Sequence, residues 1–451
     1  MGHTSIHRFF GAFCRSGWVS SFSRFMSPWS CYCILAGLAA ISASAALHCS
    51  DAANVRPVCV ALRRFHDPAT LPDLLDAVKE FGAVVRRDAE DWVAWEHLGA
   101  ALGMAARRLL NSPDAANAAR GAETLTRAAD AFRRSARLRL GFEARPRGVA
   151  APYPQAEFAQ PWAAVLRGWG DALAWTGRAE AAAAVWRLGV QRGVWRHPFC
   201  RAADERPTRP YPAGLAGASS PHPFVWGGLA PFRQALAPVD FERDVVPTLR
   251  EEWVAAGAPT DGVPWIDETA GLHSGRTWTQ LPLVVNGAPQ PGACARFPRT
   301  CDLLMRVPAV RVANGQAKLS RLRNATRIRP HAGPVNTRLR VHCAIALPPS
   351  ALVAEAWLRV GTANVTWRPG NCFVFDESCE HEVAFRLLPP PPSARASDGA
   401  SMDRIVLIVD FANPFLADVA DYVAAHIPSV ATEAAEVFRR MHAGAVSSDE
   451  L

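Results

Sequence analysis

Two histidines set the chemistry that this 451-residue sequence can support. His331 sits in a Pro/Gly turn within "IRPHAGPVNTRLRVHC" (residues 328–343), and His381 sits in "FDESCEHEVAF", at the start of another run of strand formers. Imidazoles brought together from separate strand mouths can bind one divalent ion, and neutral imidazole suits iron or zinc. Two histidines plus a carboxylate, with positions left open, form the usual ligand set of non-haem Fe(II) oxygenases. The carboxylate is expected two residues after the first histidine, where Gly333 stands. Arg338, Arg340 and His342 follow at every second position, so one face of a strand projects all three. Arg404, opening the apolar run "RIVLIVDF", adds a fourth donor. Such groups on a core-facing strand need an anion, and a dicarboxylate matches the planar fork of arginine. The plainer reading makes both histidines turn residues hydrogen-bonded to backbone, and Arg338 a solvated charge on an outer face.

Strands must carry these residues. "AKLSRLRNATRI", "TRLRVHCAIAL", "AWLRV", "NCFVFD", "HEVAFR" and "RIVLIVDF" are short runs of β-formers between turn residues, which predicts a sandwich or jelly roll rather than βαβ units. Upstream, Leu71 to Gln191 reads as helical. "DWVAWEHLGAALG" (91–103), "LTRAADAFRRSARLRL" (125–140) and "GWGDALAWTGRAEAAAAVWRLGV" (168–190) place Trp, Leu, Gly and Ala at helix-pair spacing. They resemble degenerate tetratricopeptide repeats with a broken period, an irregular helical bundle being the alternative. Stacked helix pairs make concave surfaces that hold a partner. The fold class expected is therefore α+β multidomain: a helical-repeat region at 55–200, a Pro/Gly/Ser-rich linker at 201–223 and a double-stranded β-helix (jelly-roll) domain at 224–430. A helical tail follows at 431–451, and residues 1–54 form a targeting segment.

From roughly Pro221 to Asn413 the chain resembles the aspartyl/asparaginyl β-hydroxylases, 2-oxoglutarate-dependent Fe(II) oxygenases. The stretches that carry the resemblance are "GLHSGRTWTQLPL", "CARFPRTC", "KLSRL", "RPHAGPVNTRLRVH", "WRPGNCFVFDESCEHEV" and "RIVLIVDFANP". The resemblance implies that His331 and His381 are the iron ligands, with glycine where the third ligand is missing. It implies that Ser320 and Arg404 hold the distal carboxylate of 2-oxoglutarate, and Arg340 and His342 its metal-proximal end. Gln280 and Arg338 correspond to residues near the peptide substrate, and Cys294–Cys301 to a family disulfide; the two cysteines also bracket a short polar loop that a disulfide could close. The implied cofactors are Fe(II), 2-oxoglutarate and O2, with ascorbate in support. The implied reaction hydroxylates the β-carbon of Asp or Asn in disulfide-rich, EGF-like modules, with succinate as co-product. Departures are a long insertion before Arg404, "FANP" for the usual Trp-His-Pro ending, and Thr269 beside Glu268 at an acidic substrate position. A lipid or other peptide substrate, or an inert β domain beside a helical binding region, are the competing functions.

Composition and the two ends supply an address. Hydrophobic residues make up 49% and charged residues 20%, which marks a globular protein. The net charge of +8 comes without a dense basic run interleaved with aromatics, so no nucleic-acid partner is expected. Residues 1–30 hold Arg8, Arg15 and Arg24 and no acid, and precede the apolar run Cys31–Cys49 with Ala43-Ser44-Ala45. Signal peptide and type II membrane anchor both fit; a mitochondrial transit segment competes. The final Ser448-Asp449-Glu450-Leu451 resembles an endoplasmic-reticulum retention signal and decides for the lumen. Sequons at Asn324 and Asn364 agree with that compartment.

Overall fold

The computed structural model describes residues 71–112, 114–143, 162–202, 206–211, 224–257, 265–268, 272–273, 278–312, 315–388 and 402–418. The expected targeting segment 1–54, the tail 431–451 with its retention signal, and Thr269 lie outside those residues.

Five helices come first: α1 (Leu71–Arg87), α2 (Trp92–Leu110), α3 (Ala115–Glu143), α4 (Trp162–Trp175) and α5 (Ala179–Gln191). In α1, Leu74, Ala77, Phe81, Val84 and Val85 recur at helical spacing and bury one face, while Asp73 in the first turn and Arg86 and Arg87 in the last complement the helix dipole. Asp91 caps α2 by accepting a hydrogen bond from the Ala94 N–H at 2.9 Å. Each helix packs on the next, and α2 also meets α4. Close approach depends on glycine. The Phe132 ring of α3 is clamped between Gly99 of α2 and Gly168 of α4, where an added Cβ would stand 2.9 and 2.4 Å from ring carbons. Helix lengths of 17, 19, 29, 14 and 13 residues leave the array without a constant period.

Two antiparallel sheets follow. The larger runs in the order β1 (Val225–Trp226), β10 (Cys372–Phe375), β7 (Arg338–Ala346), β12 (Arg404–Ala412), β5 (Gln316–Leu322), β3 (Trp278–Val285) and β2 (Ile266–Asp267), with β4 (Ala288–Pro289) on β3. The smaller runs β6 (Thr326–His331), β11 (His381–Leu387), β8 (Val353–Val360) and β9 (Ala363–Val365). From β5 to β12 the chain passes back and forth between the sheets; each strand run read from the sequence falls in one strand, except "AKLSRLRNATRI", which a turn at residues 323–325 divides between β5 and β6. Period-two alternation divides the large sheet. Leu339, Val341, Cys343, Leu407, Val409 and Phe411 join the core beneath α6 (Val246–Ala255) and α7 (Pro298–Met305). Ala344, Val406 and Ile408 face inward to meet Ile328, Leu358, Val383 and Phe385 of the small sheet. Arg338, Arg340, His342, Arg404 and Asp410 share the inward parity, so a polar strip crosses an apolar interior.

The described part of the expected linker packs on the β body. Arg201 donates its N–H to Ser378 O at 2.9 Å, Thr208 bridges Leu416, and Tyr211 donates its hydroxyl to Asp376 at 2.9 Å. Cys294–Cys301 forms as expected, and Cys200–Cys379 and Cys343–Cys372 are added to it. All six cysteines among the described residues are thereby paired.

The glycine clamp yields a signed prediction. In a helix Ala is favoured over Gly by about 1 kcal/mol, and no atom lies within 4 Å of a Cβ built at Gly103. Gly103→Ala should therefore raise the melting temperature. At Gly168 the 2.4 Å contact with Phe132 outweighs propensity, because overpacking costs about 1–3 kcal/mol, and Gly168→Ala should lower it. Thermal denaturation of both variants reads the two signs.

Candidate active site

His331 ends β6 and His381 begins β11, and the two are direct partners in the ladder. Their ring centroids lie 4.1 Å apart. His331 Nδ1 is 2.8 Å from Arg329 O, and His381 Nδ1 is 2.9 Å from Cys379 O. A carbonyl only accepts, so each Nδ1 carries the proton and donates, and each Nε2 keeps a free lone pair. That tautomer is the one a metal takes. Burial pushes the His331 imidazole down to about 4, helped by the charge of Arg340. Burial, the neighbouring His331 and Arg340 hold His381 well below its ordinary value. Both rings are thus neutral and ready to ligate.

The glycine at position 333 has a steric cause. A Cβ at Gly333 would stand 2.8 Å from Glu377 O and 3.0 Å from the Glu377 side-chain Cγ and Cδ. The Gly333 N–H donates to that same carbonyl, so the neighbour cannot retreat without losing the bond. Among the described residues no group of three or more His, Cys, Asp or Glu side chains converges as a metal cage.

The arginines are answered in part from within the chain. Arg340 makes a two-pronged bond to Asp410, Nε to Oδ1 at 2.7 Å and Nη2 to Oδ2 at 3.1 Å, and also pairs with Glu377. Arg338 pairs with Glu377 and lies 3.6 Å from Asp410. Lys318 hydrogen-bonds Gln280 Oε1 at 2.8 Å and pairs with Glu268 at 3.5 Å. The anion inferred for the whole arginine set is therefore needed at only one place. Arg404 is 1% exposed, its Nε and Nη1 have no hydrogen-bond partner, and its guanidinium lies 4.2 Å over the Trp367 ring. Burial alone pushes it down to about 9. Ser320 lies on the neighbouring strand, opposite Val406, with its hydroxyl accepting from Trp278 Nε1 at 3.1 Å. His342, opposite Ile408, is buried with Nδ1 unpartnered; burial and the charges of Arg404, Arg340 and Lys318 hold it neutral.

A cavity of about 260 Å³ collects the upper part of this set, with His331, Gly333, Lys318, Arg340, Glu377 and His381 in its wall. Gln280, Ser320, Arg338, His342 and Arg404 are buried and are not part of that lining. The opposite wall is helical: Ala100, Gly103, Met104 and Arg107 of α2, Phe132 of α3, and Arg167, Gly168 and Trp175 of α4. Arg167 donates to Ala332 O and, at 3.3 Å, to Gly333 O; Trp175 Nε1 donates to Pro330 O at 3.0 Å. The helices hold the backbone on both sides of His331. A hollow of about 400 Å³ beside Arg133, Trp169 and Val185 holds no residue of this set.

Glu377, Asp410 and Lys318 were not singled out from the sequence. A signal existed for each: an acid in "FDESCEHEV", a lone acid in the apolar run "RIVLIVDF", and a lysine two positions before Ser320.

Residues 243–414 match the family model described as Aspartyl/Asparaginyl beta-hydroxylase. That segment belongs to the aspartyl/asparaginyl beta-hydroxylase family. Aspartyl/asparaginyl beta-hydroxylase from Homo sapiens is 31% identical over 169 residues, 37% of this chain and 20% of that protein. Aspartate beta-hydroxylase domain-containing protein 1 from Homo sapiens is 30% identical over 198 residues, 42% of this chain and 46% of that protein. The chain thus spans about one fifth of the first relative and less than half of the second. Among solved structures, a Pseudomonas putida prolyl-4-hydroxylase covers 38% of this chain and 89% of its own at 11% identity and a TM-score of 0.25. The beta-hydroxylase segment contains every site residue named above from the two sheets, whereas α1–α5 lie outside it.

The geometry at Gly333 predicts that restoring a carboxylate there fails. Gly333→Ala and Gly333→Asp should both weaken Mn(II) binding, by roughly tenfold or more, as expected when the surroundings of a ligand are displaced. Titration calorimetry measures it; tighter binding by Gly333→Asp would show that the site accepts a third side-chain ligand.

Proposed function

We propose that the chain is a 2-oxoglutarate- and Fe(II)-dependent dioxygenase that hydroxylates the β-carbon of Asp or Asn in protein substrates, EGF-like modules foremost, within the endoplasmic-reticulum lumen. The observation that carries the chemistry is the combination of two neutral imidazoles on one cavity with a buried, unpaired Arg404. The residues fit the implied groups. His331 and His381 would hold Fe(II) through Nε2, and Gly333 leaves the third place to water. Arg404, with Ser320 beside it, would receive the distal carboxylate of 2-oxoglutarate, which would satisfy its orphaned N–H groups. His342 has a free Nδ1 for the metal-proximal end. Arg340, its fork engaged by Asp410, contributes charge and rigidity there. Bound Fe(II), with 2-oxoglutarate as reductant and O2, supplies the oxidant that converts C–H to C–OH, with succinate and CO2 as co-products. The protein orients these groups and excludes water; Glu377 and Asp410 lock Arg338 and Arg340 in place, and Lys318, in the cavity wall, is itself fixed by the buried Gln280.

The wound two-sheet topology supports a double-stranded β-helix, and the stacked helices support a repeat-like wall that receives a polypeptide. The Asp/Asn β-carbon follows the family match. The luminal assignment, with membrane anchoring through Cys31–Cys49 as one form of it, rests on the terminal sequence signals. Three disulfides and the exposed asparagines of both sequons agree with it. A second reading has its own observation: Ala100, Met104, Leu125 and Phe132 make much of the helical wall apolar, which suits an acyl chain or another apolar substrate.

Succinate formation from 2-oxoglutarate with Fe(II) and ascorbate tests this. Wild type should turn over faster with an EGF-like peptide than without, and His381→Ala should fall below about 1% of wild type, since no third side chain compensates. Gly103→Phe, which fills the cavity from open space, should cut peptide-stimulated turnover at least tenfold while Mn(II) binding holds. Histidine-dependent turnover that acyl substrates stimulate and peptides do not would favour the second reading. Protein that binds neither metal nor 2-oxoglutarate would sink both.

A further inference from the structure

Resting on the two-histidine reading of the site, we infer that the Cys200–Cys379 bridge is a positioning device for His381, through which the helical region sets metal affinity. The sheet holds this ligand unevenly: His381 pairs in register with Val360 of β8, but on its other side the β6–β11 ladder shifts register between His381 and Val383. A further hold comes from the short segment after α5. Cys200 and Cys379 pair as an isolated β-bridge, and their sulfurs are joined. On either side, Arg201 N–H donates to Ser378 O at 2.9 Å and Glu380 N–H donates to Phe199 O at 2.7 Å. Both cysteines are buried, at 4% and 0% exposure.

The consequence falls on the imidazole. The carbonyl that accepts the His381 Nδ1–H belongs to Cys379 itself, so whatever fixes Cys379 fixes the ring's tautomer and its direction. Arg201 carries the constraint outward. Its buried guanidinium donates to Glu380 Oε2 at 2.9 Å, stacks 3.8 Å over the Trp186 ring of α5, and lies 3.8 Å from Asp171 of α4. Helices α4 and α5, Arg201, the bridge and His381 thus form one mechanical series. His331 has a parallel arrangement, in which Arg167 and Trp175 grip the carbonyls of residues 330, 332 and 333. Both ligands are therefore oriented from the helical side. Cys343–Cys372 gives the contrast: it joins directly opposed residues of β7 and β10, on the sheet face away from the cavity.

The test compares full-length protein with the doubles Cys200→Ser/Cys379→Ser and Cys343→Ser/Cys372→Ser. Mn(II) affinity is measured by calorimetry, the Co(II) ligand-field spectrum reads geometry, and the melting temperature reads stability. Removing the bridge at Cys379 should weaken Mn(II) binding roughly 10- to 100-fold, the range for loss of a group that orients a metal ligand, and should alter the Co(II) spectrum. Removing Cys343–Cys372 should lower the melting temperature with Mn(II) affinity unchanged. Should the first double not fold, Arg201→Gln serves, because Arg359 still neutralises Glu380 at 3.0 Å; it too should weaken Mn(II) binding. Wild type that binds metal alongside bridge and Arg201 variants of equal affinity, or equal losses in both doubles, overturns the inference alone. Wild type that binds no metal overturns the reading of the site as well.

Discussion

A charge cannot stay buried without a partner, and the interior of this sandwich is organised by that constraint. On the inner face of the large sheet Lys318, Arg338, Arg340 and Arg404 meet the carboxylates of Glu268, Glu377 and Asp410. Four cations stand against three anions, and the imbalance is localised at Arg404. Two-pronged pairing with Asp410 uses up the fork of Arg340, Glu377 holds Arg338, and Glu268 holds Lys318. What remains is one guanidinium against an indole face, with N–H groups that nothing in the described protein accepts. A carboxylate ligand, as proposed for 2-oxoglutarate, would complete this interior.

The same economy of partners shapes the pair of histidines. Each histidine spends Nδ1 on a backbone carbonyl and keeps Nε2 free, so orientation and ligation use different atoms. The backbone beside each histidine is held in turn from outside the sheets, by Arg167 and Trp175 at residues 330, 332 and 333 and by the segment around Cys200 at residues 378 to 380. Glu377 fills the space beside Gly333, which would leave a third ligand position on a bound ion to solvent, while the Glu377 carboxylate serves the arginines. The helices are thus more than an appendage: they wall the cavity and grip both ligand loops. Glycines at crossing points let α2, α3 and α4 come close enough to do so.

Much of this was legible in the sequence, for reasons that can be stated. His331, His381 and the period-two Arg338, Arg340 and His342 could be read because strand geometry imposes a fixed repeat on side-chain direction. The strand runs were visible because their turns are marked by Pro, Gly and Asn. What could not be read were partners from distant positions. Asp410 meets Arg340 because β12 and β7 pair in one register among several, and Glu377 reaches both arginines from a loop. Nothing local to "RHPFCR" or "ESCEH" announces that Cys200 and Cys379 join across 179 positions. The cavity's helical wall was equally hidden, since it depends on docking between regions whose periodicities say only which face is apolar.

The most direct measurement concerns Arg404→Met, followed by two readouts on the same protein. In the ligand-free state, removing an unpaired buried cation should leave the melting temperature unchanged or raise it, because no internal partner is orphaned. In Mn(II)-loaded protein the affinity for 2-oxoglutarate should fall by about a hundredfold or more, as truncating one side of a buried charge pair costs roughly 2–5 kcal/mol. A variant that melts several degrees lower yet binds 2-oxoglutarate like wild type would contradict the account. Arg404 would then be a structural residue, and the charge imbalance would have no ligand to answer it.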